Sequence, residues 1–329
     1  MKILIIGGTG IISTHVRLFA EKCGDDVTVI NRGNRIIDTK EKIHYIKADI
    51  NDIESIKKNI KDIFFDIVID FVCFCKKDVL KRYELFKGRI GQYVFISSAT
   101  VYNVTKGIVT ESSPVGNSFS RYAQDKIECE RVLADNLQGK EFPITIIRPS
   151  HTYDATVIPM GVHGKMGSWQ NVKRILEGKK VIIHDDGNGV WAMLRSEDFA
   201  VQLYGILGKA ESFGQIYQIA SEESLKWVDI YSIIADELNR KLEICFIPTK
   251  ILALEGQKFE LKAKILGDKA RSLVFKNNAI RKVIGEYHPF YTMEQGIRNS
   301  VRNVLCNSSI QKEDEEFDIW CEKMISIYR

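Results

Sequence analysis

Residues 2–13 read Lys-Ile-Leu-Ile-Ile-Gly-Gly-Thr-Gly-Ile-Ile-Ser, an apolar, β-branched run that breaks at glycines and passes directly into a segment with Val16, Phe19 and Ala20 at helical spacing. A strand, a glycine turn and a helix in that order have a physical use. Glycines let the backbone turn tightly and approach a pyrophosphate, whose charge then meets the free N–H groups and positive end of the helix. Gly7, Gly8, Thr9, Gly10, Ile11 and Ile12 are therefore expected to hold a dinucleotide, with Ser13 as the small residue that keeps helix and strand close. The other possibility for the stretch is a purely structural turn.

Working outward, apolar runs recur at Val27–Ile30, Ile43–Ile46, Ile67–Phe71, Tyr93–Ile96 and Ile144–Ile147, with helical spacing between them, as at Ile53, Ile56, Ile60 and Ile63 or at Ile127, Val132 and Leu133. Near-continuous apolar strands alternating with helices imply a parallel sheet covered on both faces. The fold class expected is α/β, a doubly wound parallel sheet of Rossmann type with a smaller C-terminal substrate lobe. After Pro149 the rhythm changes: glycines cluster over 161–167, a helical segment spans Trp169–Leu176, and Val181–Ile183 leads into Asp185, Asp186 and Gly187. Residues 198–207 read as helix and Ile216–Ile219 as a strand returning to the first sheet. The expected division is 1–156 plus about 184–222 for the dinucleotide lobe, and about 157–183 plus 223–329 for the substrate lobe and C-terminal helices. Near the end, the acidic residues from Glu313 precede Phe317, Trp320, Met324 and Ile327, a packed terminal helix with a charged start.

Bulk properties narrow the function. The 329 residues carry 47 basic and 43 acidic side chains, a net charge of +4, which is no basic field for nucleic acid. No stretch reaches the roughly 18 apolar residues that crossing a bilayer needs, and the start lacks the features of a signal peptide, so a cytoplasmic location without a membrane partner is expected. Seven scattered cysteines with no Cys-x-x-Cys pair suggest thiols rather than a disulfide framework, and no metal site is expected.

The second strand ends in Asn31, Arg32 and Gly33, with no acid for the ribose hydroxyls. An arginine there can pair with a 2′-phosphate, so NADP is favoured, with NAD possible; Arg32 could equally be a solvated loop residue. Asp49, with Ile50 beside it, either meets the adenine edge or caps the next helix.

Tyr122 and Lys126 stand four apart with helical spacing, which puts them on one face. A nearby ammonium lowers the pKa of a phenol and makes it a usable acid/base; the spacing alone reads as a surface Tyr/Lys pair, and its weight comes from position in the chain. The strand ending at Ile96 runs into Ser97, Ser98, Ala99, Thr100, Val101 and Tyr102, so hydroxyls stand at the carboxyl end of a strand, where parallel sheets bind ligands. His151 and Tyr153, just after Arg148-Pro149, are substrate-contact candidates, as is Thr100.

The glycine loop, Ser97-Ser98, the Tyr122-to-Lys126 pair, Arg148-Pro149 and the stretch Gly187–Ala200 follow the order and approximate spacing of the extended short-chain dehydrogenases/reductases, and the chain resembles that group and its NAD-dependent epimerase/dehydratase family. The resemblance implies a catalytic group of Ser98, Tyr122 and Lys126, with Tyr122 moving the proton and Lys126 also holding the nicotinamide ribose. It further implies that Phe71, Val72 and Pro149 line the cofactor, that a small sugar-like molecule is the substrate and that the protein is a homodimer. The 4,6-dehydratases of the group place an Asp-Glu pair where Ala99 and Thr100 stand, so a reductase, dehydrogenase or epimerase is favoured. The group's two diphosphate-clamping arginines match Trp191 and Ile265; Arg195 or Lys264 could substitute, and Trp191 could stack on a sugar ring or simply pack between lobes. A second implied reading, from atypical members of the group, is a cofactor-binding protein that binds RNA or acts as a regulator.

Overall fold

The computed structural model describes residues 1–33, 43–61, 63–139 and 141–328. Its sheet contains β1 (Lys2–Ile6), β2 (Asp26–Asn31), β3 (His44–Lys47), β4 (Phe65–Asp70), β5 (Ile90–Ile96), β6 (Ile144–Pro149) and β7 (Ile216–Ile219). The spatial order is β7-β6-β5-β4-β1-β2-β3, and every pairing is parallel. The chain thus winds one way from β1 to β3 and the other way from β4 onward. The direction reverses between β1 and β4, which opens a crevice beyond their carboxyl ends.

Alternation along β1 shows why the sheet needs cover on both sides. Ile3 and Ile5 join a cluster with Val16 and Ala20 of α1 (Ile11–Lys22) and with Phe199 and Leu203 of a helix at Ser196–Tyr204. Leu4 and Ile6 face the opposite cluster, with Ile56 of α2 (Ile53–Asn59), Val79 and Leu85 of α3 (Lys76–Phe86), and Cys129 of α4 (Arg121–Val132). All four β1 residues are fully buried. At about 25 cal/mol per Å² of apolar surface, such two-sided burial dominates the stability of this half.

Of the three further apolar clusters among the described residues, the two larger ones lie outside the sheet. One gathers Met160, Val172 of α5 (Trp169–Leu176), Trp191, Trp227 and Ile230 of a helix at Trp227–Glu237, and Ile297 of a helix at Met293–Cys306. The other packs Phe317 and Met324 of the terminal helix, Glu315–Ile327, against Ile182, Leu252 and Ile265. The Asp314 carboxylate starts that last helix by accepting from Phe317 N at 3.1 Å.

Several elements differ from the sequence reading. Ile60 and Ile63 fall beyond α2, which stops at Asn59: Ile60 takes φ −112° and ψ 21°, outside the helical range, while its N–H still closes the last turn on the Ile56 carbonyl. The helix expected over 198–207 begins at Ser196 and ends at Tyr204. Helices at Lys76–Phe86 and Met293–Cys306 had not been identified. The first carries charged residues between its apolar positions, whereas the second had a legible signal, a Thr292–Gln295 capping box followed by Met293, Ile297, Val301 and Val304 at helical spacing.

Candidate functional site

Gly7, immediately after β1, takes φ +85°, and a Cβ there would stand 2.5 Å from Val72 Cγ1. Only glycine fits that position at no steric cost. Gly10 precedes α1 in extended conformation, and Ser13 Oγ donates to the Gly7 carbonyl at 2.7 Å while accepting from Gly10 N at 2.8 Å. Ser13 thus ties the loop to the first helical turn and leaves the free N–H groups of that turn facing a groove.

The groove has a volume of about 730 Å³. Gly7, Thr9, Gly10, Ile11, Ile12, Asn31, Arg32, Asp49, Ile50, Phe71 and Val72, all named above as cofactor candidates, line it. Gly8 does not. Its carbonyl accepts from Arg17 Nε at 2.9 Å, and a Cβ would strike Val29, so its task is close packing of the loop against β2. Asn31 Oδ1 accepts from Gly33 N at 2.8 Å, while its buried Nδ2 has no partner among the described residues. Asp49 Oδ1 accepts from Asn51 N, and it is Asp52 that caps α2. Asn51, Phe74 and Asp78 also line the groove and were missed, since they lie in loops and a helix start without a motif.

Ile12, Phe71 and Thr152 form a shared wall between this groove and an inner cleft of about 330 Å³. Ser98, Thr100, Tyr122, Lys126, Pro149, His151 and Trp191 line the inner cleft. Pro149 therefore lies on the inner side of the wall and not on the groove. Ser98 Oγ accepts from Thr100 N at 3.2 Å and from Thr100 Oγ1 at 2.9 Å. Tyr122 is in the first turn of α4, which Ser120 caps by accepting from Ala123 N. The flank of Tyr122 is 44% exposed, yet its hydroxyl end is enclosed: burial pushes the phenol up to about 12, and the Ser98 hydroxyl beside it pulls the other way.

The expected lowering by Lys126 is not found. Lys126 is buried, and its Nζ donates to the Cys73 carbonyl at 2.8 Å and the Ile96 carbonyl at 2.7 Å, with the Tyr122 ring centroid 5.7 Å away. Its ammonium is committed to two strand-end carbonyls, and desolvation lowers its own pKa.

Tyr153 is not brought to either cavity. Its ring is fully buried 5.4 Å from the Arg195 guanidinium, in space that Gly296 leaves open by lacking a side chain. Arg195 pairs with Glu197, Ile265 is core, and neither these two nor Lys264 lines the inner cleft. Trp191 does both things considered for it: it lines the cleft and stacks within the second lobe, 5.3 Å from Trp227 and 5.6 Å from His151. His151 is pushed down to about 3 by burial and by Lys269, so it is neutral at physiological pH. Ser150, Thr152, Asp268 and Arg271 complete the walls. Burial pushes the Asp268 carboxyl up to about 6. The sequence reading touched this segment only at Lys264 and Ile265, and it held no signal for Asp268 or Arg271. No cluster of three or more His, Cys, Asp or Glu suited to a metal occurs among the described residues.

A doubly wound sheet with a glycine-built groove at its reversal point, and a hydroxyl-lined cleft adjoining it, defines a Rossmann-type α/β protein. The chain belongs to the NAD dependent epimerase/dehydratase family, whose model matches residues 3–220. It is similar to a 2′-dehydrokanamycin reductase of Streptomyces kanamyceticus, 21% identical over 265 residues, covering 80% of this chain and 74% of that protein. A chloroplast stem-loop binding protein of 41 kDa b from Arabidopsis thaliana is 26% identical over 235 residues, covering 68% of this chain and 59% of that one. Among solved structures, UDP-glucuronic acid 4-epimerase from Bacillus cereus in complex with NAD superposes with a TM-score of 0.71 at 18% identity, over 95% of this chain and 100% of that one. Among the described residues no helix is long and apolar enough to cross a membrane.

Proposed function

We propose that the protein is a nicotinamide-dinucleotide-dependent reductase or epimerase that acts by hydride transfer on a sugar-like hydroxy or keto compound, with Tyr122 as acid/base. The observation that carries this reading is the shared wall: Ile12, Phe71 and Thr152 belong to both cavities, so a ring at the inner end of the groove lies against the cleft that holds Ser98 and Tyr122. The groove suits a dinucleotide, because its glycine cradle leaves no room for a side chain at Gly7 and the orphaned Asn31 Nδ2 awaits an acceptor such as a ribose hydroxyl. A bound nicotinamide would supply the hydride donor or acceptor and, when oxidised, a positive charge beside the phenol.

The remaining chemistry belongs to the chain. Tyr122 Oη gives a proton to the substrate oxygen or takes one from it, and Ser98 Oγ orients that oxygen. Lys126 braces the strand ends around Tyr122, a positioning role, with ribose contact left to its remaining N–H. The identity of the dinucleotide is open to the same argument: the B. cereus structure holds NAD, which favours NAD, whereas the preference for NADP rests on Arg32 alone. We keep the two-lobe division of the sequence reading, the sheet with its return strand β7 for the cofactor and residues 157–183 with 223–329 for substrate, although the apolar clusters cross its bounds: Tyr153, Trp191 and Met193 pack with the second lobe and Ile280 packs on the sheet.

The test is Tyr122→Phe. Turnover with a responsive sugar-like carbonyl compound, followed by absorbance of the reduced nicotinamide, should fall roughly 10²–10⁴-fold. Cofactor affinity should hold. Full activity in the variant would refute the assignment. The stem-loop binding relative favours a second reading, an RNA-binding protein on the same fold. A salt-sensitive RNA affinity with no turnover of any carbonyl compound would put that reading first.

A further inference from the structure

Arg82, Arg148, Arg174 and Arg195 are all buried, and each has a carboxylate partner: Asp70, Glu130, Asp318 with Glu322, and Glu197. Arg271 is just as buried, at 5% exposure, and has no ion-pair partner among the described residues. Its Nη1 donates to the Tyr102 carbonyl at 2.6 Å, while its Nε has no acceptor among the described residues. Asp268, in the same wall, lies beyond ion-pairing distance. Asp268 acts on it only through space, and a buried guanidinium with no anion in contact is unfavourable, while arginine's planar fork is suited to carboxylate and phosphate oxygens.

Arg271 is not alone. Trp191 Nε1 and Ser150 Oγ are also buried without partners among the described residues, and both residues line the same cleft. Buried donors are normally satisfied, so three orphans from three separate segments around one cavity mark where a ligand completes the polar inventory. Size narrows the ligand further. The inner cleft has less than half the volume of the outer groove, 330 against 730 Å³. A nucleotide-linked sugar, with base, ribose, two phosphates and hexose, approaches a dinucleotide in bulk.

We infer that the inner cleft takes a free, single-ring polyhydroxy compound bearing one anionic group, a carboxylate or a monophosphate, whose anion sits on Arg271 while Trp191 Nε1 and Ser150 Oγ donate to its oxygens. The inference rests on the proposed cofactor groove and on Tyr122 facing the same cleft. Arg271 is then the residue that sets specificity, and Trp191 both walls the ring and donates to it.

The experiment has two stages. NADH and NADPH fluorescence first shows whether the dinucleotide binds, and a failure there overturns the function proposed above while the second stage still runs on the free protein. Glucuronate, glucose 6-phosphate, glucose, glucosamine and UDP-glucuronate are then compared by ligand-induced change in melting temperature and by titration. Glucuronate or glucose 6-phosphate should bind at least tenfold more tightly than glucose or glucosamine, and more tightly than UDP-glucuronate; whichever of the two leads identifies the anion. Arg271→Met should erase the preference without changing dinucleotide affinity, Arg271→Lys should keep part of it, and Trp191→Phe should weaken the bound anion several-fold. Tightest binding of UDP-glucuronate, equal binding of glucose or glucosamine, no binding of either anion, or an anion preference that survives Arg271→Met would each overturn the inference. Should Arg271→Met fail to fold, Arg271→Lys and the UDP-linked arm decide it.

Discussion

The outer groove and the inner cleft meet at Ile12, Phe71 and Thr152, yet they are made differently. The groove is shaped by backbone: a positive-φ glycine, a helix start and Ser13 lacing the turn together. The cleft is shaped by side chains from strand ends, from α4 and from the segment around Asp268 and Arg271, with buried polar atoms of Ser150, Trp191 and Arg271 left without partners among the described residues. Backbone recognition reads what all dinucleotides share. Side-chain recognition reads one substrate, which is why fold and cofactor class transfer across the family while substrate does not.

The sharpest way to break this contrast is at Gly7. Gly7→Val adds a β-branched side chain at φ +85° and drives it into Val72. Strain of about 1–3 kcal/mol is expected from the conformation alone, with the steric overlap added to it. Dinucleotide affinity should fall by more than a hundredfold by fluorescence titration, while anion binding in the inner cleft changes little. Unchanged dinucleotide affinity would mean that the groove is not built on that turn.

The same contrast explains what could be read from the residues alone. The groove came through because its determinants are nearly consecutive, from Ile6 to Ser13, and because a strand, a turn and a helix each leave a local signature. That Ser98, Tyr122 and Lys126 line one cleft was legible from spacing and resemblance, their catalytic roles being part of the proposal. The electrostatics were not: four residues of helix place Lys126 near Tyr122, but only the folded sheet supplies the Cys73 and Ile96 carbonyls that take its protons. Tyr153 was misplaced because Gly296, 143 residues along the chain, makes a hole for its ring. Arg271 gave no sign, since its meaning is the absence of an acid that nothing but packing could reveal.

A milder test concerns the rim of the groove. Arg32 is exposed at the end of β2 and reaches the groove beside Asn31. A solvent-screened arginine on a 2′-phosphate is worth about one charge-assisted hydrogen bond, 1.5–3 kcal/mol at most before screening. Arg32→Ala should therefore weaken NADPH binding about tenfold at low salt and leave NADH within twofold. Equal small losses for both would assign Arg32 to the solvated loop and leave NAD as the natural partner.

The smallest expected effect comes from acid, and it separates the cleft from the groove by a different property. His151 is held near 3 by burial and by Lys269, far below its usual 6.5, so the folded protein keeps it neutral where the unfolded chain takes up a proton. Stability should therefore fall as pH drops below about 6.5 and go on falling toward 3, by up to about 1.4 kcal/mol per pH unit for this one proton. Asp268 opposes it, because a carboxyl raised to about 6 makes the folded state the better proton acceptor between roughly 4 and 6. His184, held near 4 by burial, adds to the acid sensitivity. His151→Asn removes one proton from this balance. Between pH 7 and 5 its melting temperature should drop a few degrees less than that of the unaltered protein, whereas Arg32→Ala should leave the pH slope unchanged. Identical slopes for His151→Asn and the parent would show that His151 takes up its proton in the folded protein, and that the inner cleft admits water more freely than the walls around it suggest.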